Sequence, residues 1–266
     1  MEISAMKLIQ DIPDFWDKLQ SSSRAFLALD YDGTLAPFRT ERMEAYPYPG
    51  IPDLLTRIRD TTGDMVAIIS GRPSAEILRL IGERDFVIVG SHGYELRYPG
   101  STTVVKEPEP QQLKGLKEAK LMMEKQIADG SLEVKVASIV FHTRGLPAMD
   151  AERLEDQVHA MWLDIVKNRN LAVRRFNGGV ELIGKGWNKG DALRELLDLQ
   201  PAGTFSVYLG DDVTDEDAFR VIKGRGLGIL IGPKHKKSDA DSCLKDIKAV
   251  KDFLESWLLC VTTRYS

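Results

Sequence analysis

One short stretch near the start of the chain constrains the fold more than any other. The apolar run Ala25 to Leu29 has the length of a buried strand, and it ends in Asp30 and Asp32, followed by Gly33. In an open α/β sheet, ligands bind beyond the carboxyl ends of the strands, so both carboxylates are expected at a ligand site. Gly33 permits a turn that a Cβ would hinder.

This motif has two other interpretations. An EF-hand calcium loop also begins Asp-x-Asp, but a helix precedes it and its glycine is the sixth residue, whereas Gly33 is the fourth and follows a strand. An ordinary strand-to-turn junction with solvated aspartates also fits this stretch. The rest of the chain has to distinguish these interpretations.

Composition and charge exclude several classes of function. The chain has 266 residues, enough for one large domain or two, and 43% of them are hydrophobic. The net charge of −4 gives no basic footprint for nucleic acid, and no apolar stretch approaches the roughly 20 residues that span a bilayer. Residues 1–19 lack the basic start of a signal peptide, and Cys243 and Cys260 have no metal-like spacing. We therefore expect a cytoplasmic protein with reduced cysteines and no nucleic-acid or membrane partner.

Alternating strand and helix patterns predict a doubly wound, Rossmann-like parallel sheet. An amphipathic lead-in helix is expected within residues 1–23. The predicted strands are 25–29, 65–69, 86–89, 205–209 and 227–231. The predicted helices are one carrying Leu54 to Ile58, one beginning near Ser74, then 189–199 and 247–259.

The pattern changes in the middle of the chain. Helical patterns at about 104–123 and 149–167 are each followed by two short strands, which are predicted at 132–136, 138–144, 171–176 and 180–183. This αββαββ order predicts an antiparallel sheet with helices on one face. We therefore predict an α/β core formed by residues 1–103 and 185–266, with an inserted α+β domain at 104–184.

A second acidic cluster follows the predicted strand at 205–209. Acids in the first turn of a helix favour its positive dipole end, which accounts for residues 215–217 but not for Asp211 and Asp212. Two carboxylate clusters at neighbouring strand ends repel each other unless a hard cation neutralises them. We predict a Mg²⁺ site formed by Asp30, Asp211 and the main-chain carbonyl of Asp32, with Asp212 and Asp215 nearby.

Two further motifs suggest an anionic ligand. Asn188 is a good N-cap, but the charge of Lys189 in the first helical turn opposes the helix dipole. This unfavourable placement suggests that an anion lies opposite the lysine; the alternative is an ordinary surface lysine. Ser70, Gly71 and Arg72 would add a hydroxyl and backbone N–H groups at another helix start, which suits a phosphate. The loop 223–228 and the basic stretch 234–237 are interpreted as solvated surface, with contact to the phosphate as the alternative.

Together, the four strand-end motifs resemble those of the haloacid-dehalogenase-like (HAD) phosphohydrolases. They are Asp30-x-Asp32-Gly-Thr, Ser70-Gly-Arg, Asn188-Lys189-Gly and Gly210-Asp-Asp-x-x-Asp. The resemblance covers residues 24–95 and 185–260, and the insert is similar to the C2 type of cap. The stretches 30–35, 91–93, 188–190 and 210–219 are similar, more closely, to the trehalose-6-phosphate phosphatases.

This resemblance implies a role for each motif. Asp30 would be the nucleophile that forms an aspartyl-phosphate, and Asp32 would protonate the departing sugar oxygen and then activate water. Lys189, Ser70 and a Mg²⁺ cofactor would stabilise charge. The residues expected to contact substrate are Gly71, Arg72, His92, Glu133, Lys135, His142, Arg144, Glu181 and Asn188.

Two departures from the family pattern concern the sugar. Thr143 stands where an aromatic residue is common, and Ile183-Gly184 follow Glu181 where Arg-Pro is usual. The strand alternation alone also fits a solvated sheet face. The resemblance implies a phosphatase for trehalose 6-phosphate, functionally linked to a trehalose-6-phosphate synthase. The alternatives are a phosphatase for sucrose 6-phosphate or a glucosyl- or mannosyl-phosphoglycerate, and a non-catalytic phosphosugar sensor.

Overall fold

The structure, a computed structural model, describes residues 7–125, 132–176, 178–233 and 237–265. The strands are β1 Lys7–Leu8, β2 Ala25–Leu29, β3 Met65–Ile69, β4 Val87–Gly90, β5 Glu95–Arg97, β6 Val104–Val105, β7 Leu132–Val134, β8 Ser138–His142, β9 Leu171–Phe176, β10 Gly179–Gly184, β11 Phe205–Gly210, β12 Gly226–Ile231 and β13 Ser242–Leu244. The helices are α1 Phe15–Ser21, α2 Ile51–Thr62, α3 Ser74–Ile81, α4 Pro110–Glu124, α5 Ala148–Ile165, α6 Lys189–Asp198, α7 Glu216–Ile222 and α8 Ile247–Thr262. Of the predicted basic stretch 234–237, only Lys237 lies within the described residues.

The chain forms two compact units. The larger unit contains Met1–Thr103 and Asn188–Ser266, and the smaller unit contains Val104–Trp187. Across the described ranges, no helix is both long enough and apolar enough to cross a bilayer.

The larger unit is built on a mixed sheet. Its strands lie in the order β1-β13-β12-β11-β2-β3-β4-β5, and all neighbours are parallel except β4 and β5. All five residues of β2 are buried, as expected for a central strand covered on both faces. Alternate β2 residues therefore enter two separate cores, with Leu27 in one and Phe26 in the other.

Helices cover both faces of this sheet. The core on the Leu27 side contains buried residues of α1, α2, α3 and α8, and the core on the Phe26 side contains those of α6 and α7. The order of connection reverses at β2, because β3 follows it on one side and β11, from the distant second half of the chain, pairs on the other. Such a switch point opens a crevice at the carboxyl ends of the strands.

The smaller unit is an antiparallel sheet backed by two helices. Its strand order is β7-β8-β10-β9. One face packs Ile139, Phe141 and Leu182 in a core with α4 and α5. The register aligns Glu133, Val140, Glu181 and Arg174 across the sheet, and since cross-strand partners share a face, ionisable groups gather on the other side.

Several predicted elements differ from the observed ones. The lead-in helix predicted within 1–23 is reduced to α1, because Pro13 disfavours helical backbone at Ile12, which is extended with φ −84° and ψ 113°. Helix α4 begins at Pro110 rather than near 104, since a proline suits the first helical position. The antiparallel β5 and the three-residue β13 were not predicted, because such short strands carry little periodic signal.

Candidate active site

Strand register brings three loop starts together at one edge of the larger sheet. Leu29 of β2 pairs with Leu209 on one side and Ile68 on the other. The ladder extends one step further, because the backbone N–H of Asp30 donates to the carbonyl of Leu209 at 2.8 Å. Asp30, Ser70 and Asp211 therefore leave neighbouring strands at the same edge.

Asp30, Lys189 and Asp215 form a buried chain of charges. The Nζ of Lys189 donates to Oδ1 of Asp30 at 2.6 Å and to Oδ1 of Asp215 at 2.8 Å. The three residues are only 4%, 3% and 0% exposed, so water screens their charges little. Burial raises the pKa of Asp30 well above its ordinary value, an effect that Lys189 opposes and the carboxylates of Asp215 and Asp211 increase.

Lys189 stays charged in this setting. Burial acts to lower its pKa, but the carboxylates of Asp215 and Asp30 outweigh burial and hold the pKa above the ordinary lysine value. One ammonium thus faces three carboxylates, counting Asp211. The excess negative charge would favour a bound cation.

Asp215 accepts four hydrogen bonds from the protein. Its Oδ1 accepts from Lys189 and, at 2.5 Å, from the hydroxyl of Tyr208. Its Oδ2 accepts from the backbone N–H groups of Asp211 and Asp212 at 3.1 and 3.0 Å. Burial raises the pKa of Tyr208 well above its ordinary value, so the phenol remains a donor.

The acidic group has the chemistry of a hard-cation site. Asp30, Asp211 and Asp215 each offer a carboxylate oxygen, and these atoms lie within 4.8 Å of one another. A Cβ built on Gly33, whose φ is +83°, would lie 2.1 Å from Oδ2 of Asp211, so the glycine leaves room for this carboxylate. Oxygen ligands of this kind suit Mg²⁺, and the residues therefore fit such an ion.

Asp32 is held by an arginine. The Nε and Nη2 of Arg72 donate to Oδ2 and Oδ1 of Asp32 at 2.6 and 2.7 Å. The Nη1 of Arg72 donates to the carbonyl of Arg42 at 2.8 Å, and the guanidinium lies 5.7 Å from the centroid of the Tyr31 ring. Arg72, which was predicted to contact substrate, thus holds the predicted acid/base in a two-pronged ion pair.

The predicted phosphate loop, residues 70–72, is hydrogen-bonded to the loop that follows β4. The backbone N–H of His92 donates to the carbonyl of Ser70 at 3.0 Å, and that of Ser91 donates to the carbonyl of Arg72 at 2.8 Å. The hydroxyl of Ser70 accepts from the N–H of Arg72 at 3.2 Å. A Cβ on Gly71 would lie 2.5 Å from Cε1 of His92, so the imidazole packs directly on this glycine.

The backbone of the loop after β4 is strained. Ser91 and His92 have φ of 49° and 58°, the left-handed region that non-glycine residues rarely adopt. Glu95, which is buried, accepts hydrogen bonds from the hydroxyl of Ser91 and the backbone N–H of Ser74, each at 2.7 Å. The carboxylate therefore ties the strained turn to the start of α3.

Two predicted site residues serve as helix caps. Oδ1 of Asn188 accepts from the N–H groups of Gly190 and Asp191 at 2.8 and 3.1 Å, which caps α6 and directs Lys189 inward. Oδ1 of Asp212 accepts from the N–H of Val213 at 2.6 Å, and Asp212 is exposed. The structure thus leaves Asp212 out of the acidic group.

The smaller unit has a polar cluster of its own on the sheet face opposite its hydrophobic core. Glu133 contacts His142 at 2.9 Å, and Lys135 lies 3.9 Å from Glu133 and 3.7 Å from Glu181. The Nε and Nη2 of Arg174 donate to Oε2 of Glu181 at 3.0 and 2.7 Å. Four of the predicted substrate contacts therefore share one cluster.

The other polar residues of that stretch lie beside the cluster. The guanidinium of Arg144 lies 5.9 Å from the centroid of the Phe176 ring. Thr143, one of the two departures from the family pattern, is buried and donates to Glu155 at 2.5 Å.

Sequence reasoning missed three contributors to these clusters. Tyr208 sits inside an apolar strand and has the pattern of a core residue, and Glu95 and Arg174 are single charges outside any of the four motifs. The strand register aligns Arg174 with Glu181, which would have drawn attention to it had the pairing been known.

Comparison with known proteins decides the family. A model of the trehalose-phosphatase family matches residues 28–248, which include all the strand-end motifs described above. The chain belongs to the trehalose-phosphatase family. The predictions of this family and of an enzyme are thereby confirmed.

Curated relatives of this trehalose-phosphatase family member come from plants, bacteria and archaea. "Probable trehalose-phosphate phosphatase C" of Arabidopsis thaliana is 30% identical over 85% of this chain and 74% of its own length. "Probable trehalose-phosphate phosphatase" of Sinorhizobium fredii is 31% identical, with 88% and 87% covered. A "Bifunctional trehalose-6-phosphate synthase/phosphatase" of Thermoproteus tenax is 31% identical over 82% of this chain, which spans only 30% of that longer protein.

A solved structure supports the fold. The C-terminal domain of the Candida albicans trehalose-6-phosphate phosphatase superposes with a TM-score of 0.79, covering 97% of this chain and 99% of that one at 24% identity. The predicted α/β fold, with a largely parallel sheet and a second unit built on an antiparallel sheet, is confirmed.

Proposed function

We propose that this trehalose-phosphatase family member hydrolyses trehalose 6-phosphate to trehalose and phosphate through a phosphorylated Asp30. The proposal rests on the observation that the two motif carboxylates, Asp30 and Asp32, are bound by different cations. Lys189 contacts Asp30 at 2.6 Å, whereas Arg72 contacts Asp32 at 2.6 and 2.7 Å. Two carboxylates held by different cations can take different roles in one reaction.

In the first half of the reaction, an oxygen of Asp30 attacks phosphorus and the bond from phosphorus to the sugar oxygen breaks. Asp32, in its protonated form, gives its proton to that departing oxygen. In the second half, Asp32 takes a proton from water, the water oxygen attacks phosphorus, and the bond from phosphorus to Asp30 breaks. The enzyme returns to its starting state with phosphate released.

The surrounding groups would stabilise the charge that develops on the phosphoryl oxygens. Lys189 supplies an ammonium beside Asp30, and Ser70 and Gly71 supply a hydroxyl and a backbone N–H at the adjoining strand end. Asp30, Asp211 and the main-chain carbonyl of Asp32 would hold Mg²⁺. The bound ion would supply Lewis-acid charge neutralisation.

The polar face of the smaller unit is the proposed reader of the sugar. Glu133, Lys135, His142 and Glu181 present paired acceptors and donors on one sheet face, which suits hydroxyl groups. Arg144 is proposed to contact the substrate with them. The substrate of this reaction is the product of a trehalose-6-phosphate synthase, so a functional link to such an enzyme is part of the proposal.

The test is phosphate release from a panel of sugar phosphates, with Mg²⁺ and after removal of divalent metal with EDTA. We expect metal-dependent turnover with a preference for trehalose 6-phosphate, and a loss of about 10³-fold or more in Asp30→Asn. Asp60→Asn, the same change at an exposed residue paired with its neighbour Arg59, is the matched control.

Three results would change the proposal. A preference for sucrose 6-phosphate or a phosphoglycerate glycoside would retain the chemistry and replace the sugar. Turnover that persists in EDTA would show that the reaction does not require the proposed Mg²⁺. Lasting phosphorylation of Asp30 without turnover would favour a phosphosugar sensor instead.

A further inference from the structure

Tyr208 has an unusual environment for a strand residue. It lies in the middle of β11, it is fully buried, and its ring packs edge-on against Phe219 with centroids 5.6 Å apart. Its hydroxyl is not turned toward solvent or a backbone carbonyl. It donates to Oδ1 of Asp215 at 2.5 Å, a short hydrogen bond to a buried carboxylate.

The same oxygen of Asp215 also accepts from Lys189. The ammonium therefore lies between Oδ1 of Asp215 at 2.8 Å and Oδ1 of Asp30 at 2.6 Å. Because the two backbone N–H groups from the 211–212 turn occupy Oδ2 of Asp215, the orientation of this carboxylate is fixed by Tyr208 on one oxygen and by the turn on the other. The position of Asp215 in turn sets the position of the ammonium.

We infer that Tyr208 is a positioning residue for the phosphatase reaction, which fixes the Lys189 ammonium against Asp30 by holding Asp215. This inference rests on the proposed function. The hydrogen bonds that join the hydroxyl of Tyr208 to Asp30 run through the side chains of Asp215 and Lys189. Small displacements of such groups are costly, since a misplacement of about 1 Å can lower a rate about 10²-fold.

The chain provides a matched control. Tyr31 is also fully buried and also donates a hydrogen bond, at 2.7 Å, but its acceptor is the main-chain carbonyl of Ala45. Removing either hydroxyl deletes one buried hydrogen bond and leaves the ring in place. Tyr31→Phe therefore serves as the control for stability, and the hydroxyl of Tyr208 is in addition joined to the chain of charges that ends at Asp30.

The experiment compares Tyr208→Phe with Tyr31→Phe in the full chain. We measure kcat and KM for the sugar phosphate on which the wild type is most active, the Kd of Mg²⁺ by calorimetry, and the Tm of each protein. We expect Tyr208→Phe to lose about 10-fold in kcat, as befits the loss of one hydrogen bond to a charged group, with KM and the Mg²⁺ Kd within about two-fold of wild type. Tyr31→Phe should lower Tm by a similar amount, which gives the stability cost of losing one buried phenol hydrogen bond.

A donor at position 208 should restore the rate. Site-specific incorporation of p-aminophenylalanine keeps an N–H donor toward Asp215, and kcat should recover to within about three-fold of wild type. A folded p-aminophenylalanine variant that has lost kcat would overturn the inference even if Tyr208→Phe did not fold. A wild-type kcat in Tyr208→Phe would also overturn it, whereas a wild type with no turnover on any sugar phosphate would overturn the proposed function.

Discussion

Gly33→Ala is the substitution for which the structure makes the sharpest prediction. Gly33 has φ +83°, and a Cβ at this position would lie 2.1 Å from Oδ2 and 2.5 Å from Cγ of Asp211. The added methyl group therefore affects the backbone of the turn and the carboxylate opposite it. These two effects can be measured separately.

The expected magnitudes follow from the geometry. The left-handed backbone costs an alanine about 1–2 kcal/mol, which lowers Tm by about 2–4 °C for each kcal/mol in a protein of this size. Ordinary contact begins near 3.4 Å, so the carboxylate of Asp211 would have to withdraw by about 1.3 Å from its place beside Asp30. A displacement of that size should lower kcat about 10²-fold and weaken Mg²⁺ binding.

Gly50→Ala isolates the backbone effect. Gly50 has φ +87°, and its added Cβ would find only the flexible end of Lys251, at 3.9 Å. Both variants should lose Tm for the same backbone reason, as measured by calorimetry. Phosphate release and a Mg²⁺ titration should be impaired in Gly33→Ala alone. If Gly33→Ala kept the kcat and Mg²⁺ Kd of Gly50→Ala, the acidic group would not be the metal site.

Three other substitutions test the remaining clusters. Arg72→Lys keeps the charge but loses the two-pronged contact with Asp32, so we expect about 10-fold lower kcat for the sugar phosphate. The loss should be smaller for p-nitrophenyl phosphate, because its leaving group needs no proton, and equal losses on the two substrates would contradict this role. Lys189→Met should abolish turnover and destabilise the metal-free protein by about 3–5 kcal/mol. Added Mg²⁺ should raise the calorimetric Tm of this variant more than it raises that of wild type. The same rise in both proteins would count against a shared cation site. Glu181→Gln should raise KM for the sugar phosphate about 10-fold and leave p-nitrophenyl phosphate turnover unchanged, and a loss on both substrates would remove Glu181 from sugar recognition.

The sequence was most informative where one residue type contradicted its local surroundings. Asp30 at the end of an apolar strand and Lys189 in the first turn of a helix both oppose local preference, and in the structure they contact each other across 159 residues of sequence. Such local conflicts are expected where function outweighs stability. The core strands were recognisable as apolar runs because they are buried on both faces, and the helices because each buries one apolar face.

Residues that act through long-range partners could not be identified in this way. Nothing in the sequence relates Arg72 to Asp32, and a strand tyrosine such as Tyr208 fits an apolar core whether or not its hydroxyl meets a carboxylate. The different positions of Asp212 and Asp215 also depend on a single turn. The carboxylate of Asp212 accepts from the N–H of Val213, whereas that of Asp215 accepts from the N–H groups of residues 211 and 212. The sequence pattern explained Asp215, but not Asp212, as a helix start, and placed both residues near the predicted Mg²⁺ site.

The pairing of β2 with β11 has a consequence for biosynthesis. Ala25 pairs with Phe205, 180 residues further along, so a ribosome working at about 5–20 residues per second needs roughly 9–36 s to deliver the partner strand. The smaller unit pairs β8 with β10 wholly within this interval and can fold while the nascent chain still lacks β11. Until then, one edge of β2 stays open and the carboxylates of Asp211 and Asp215 have not been synthesised. A chain released before residue 215 would therefore carry Asp30 without the full acidic group that surrounds it.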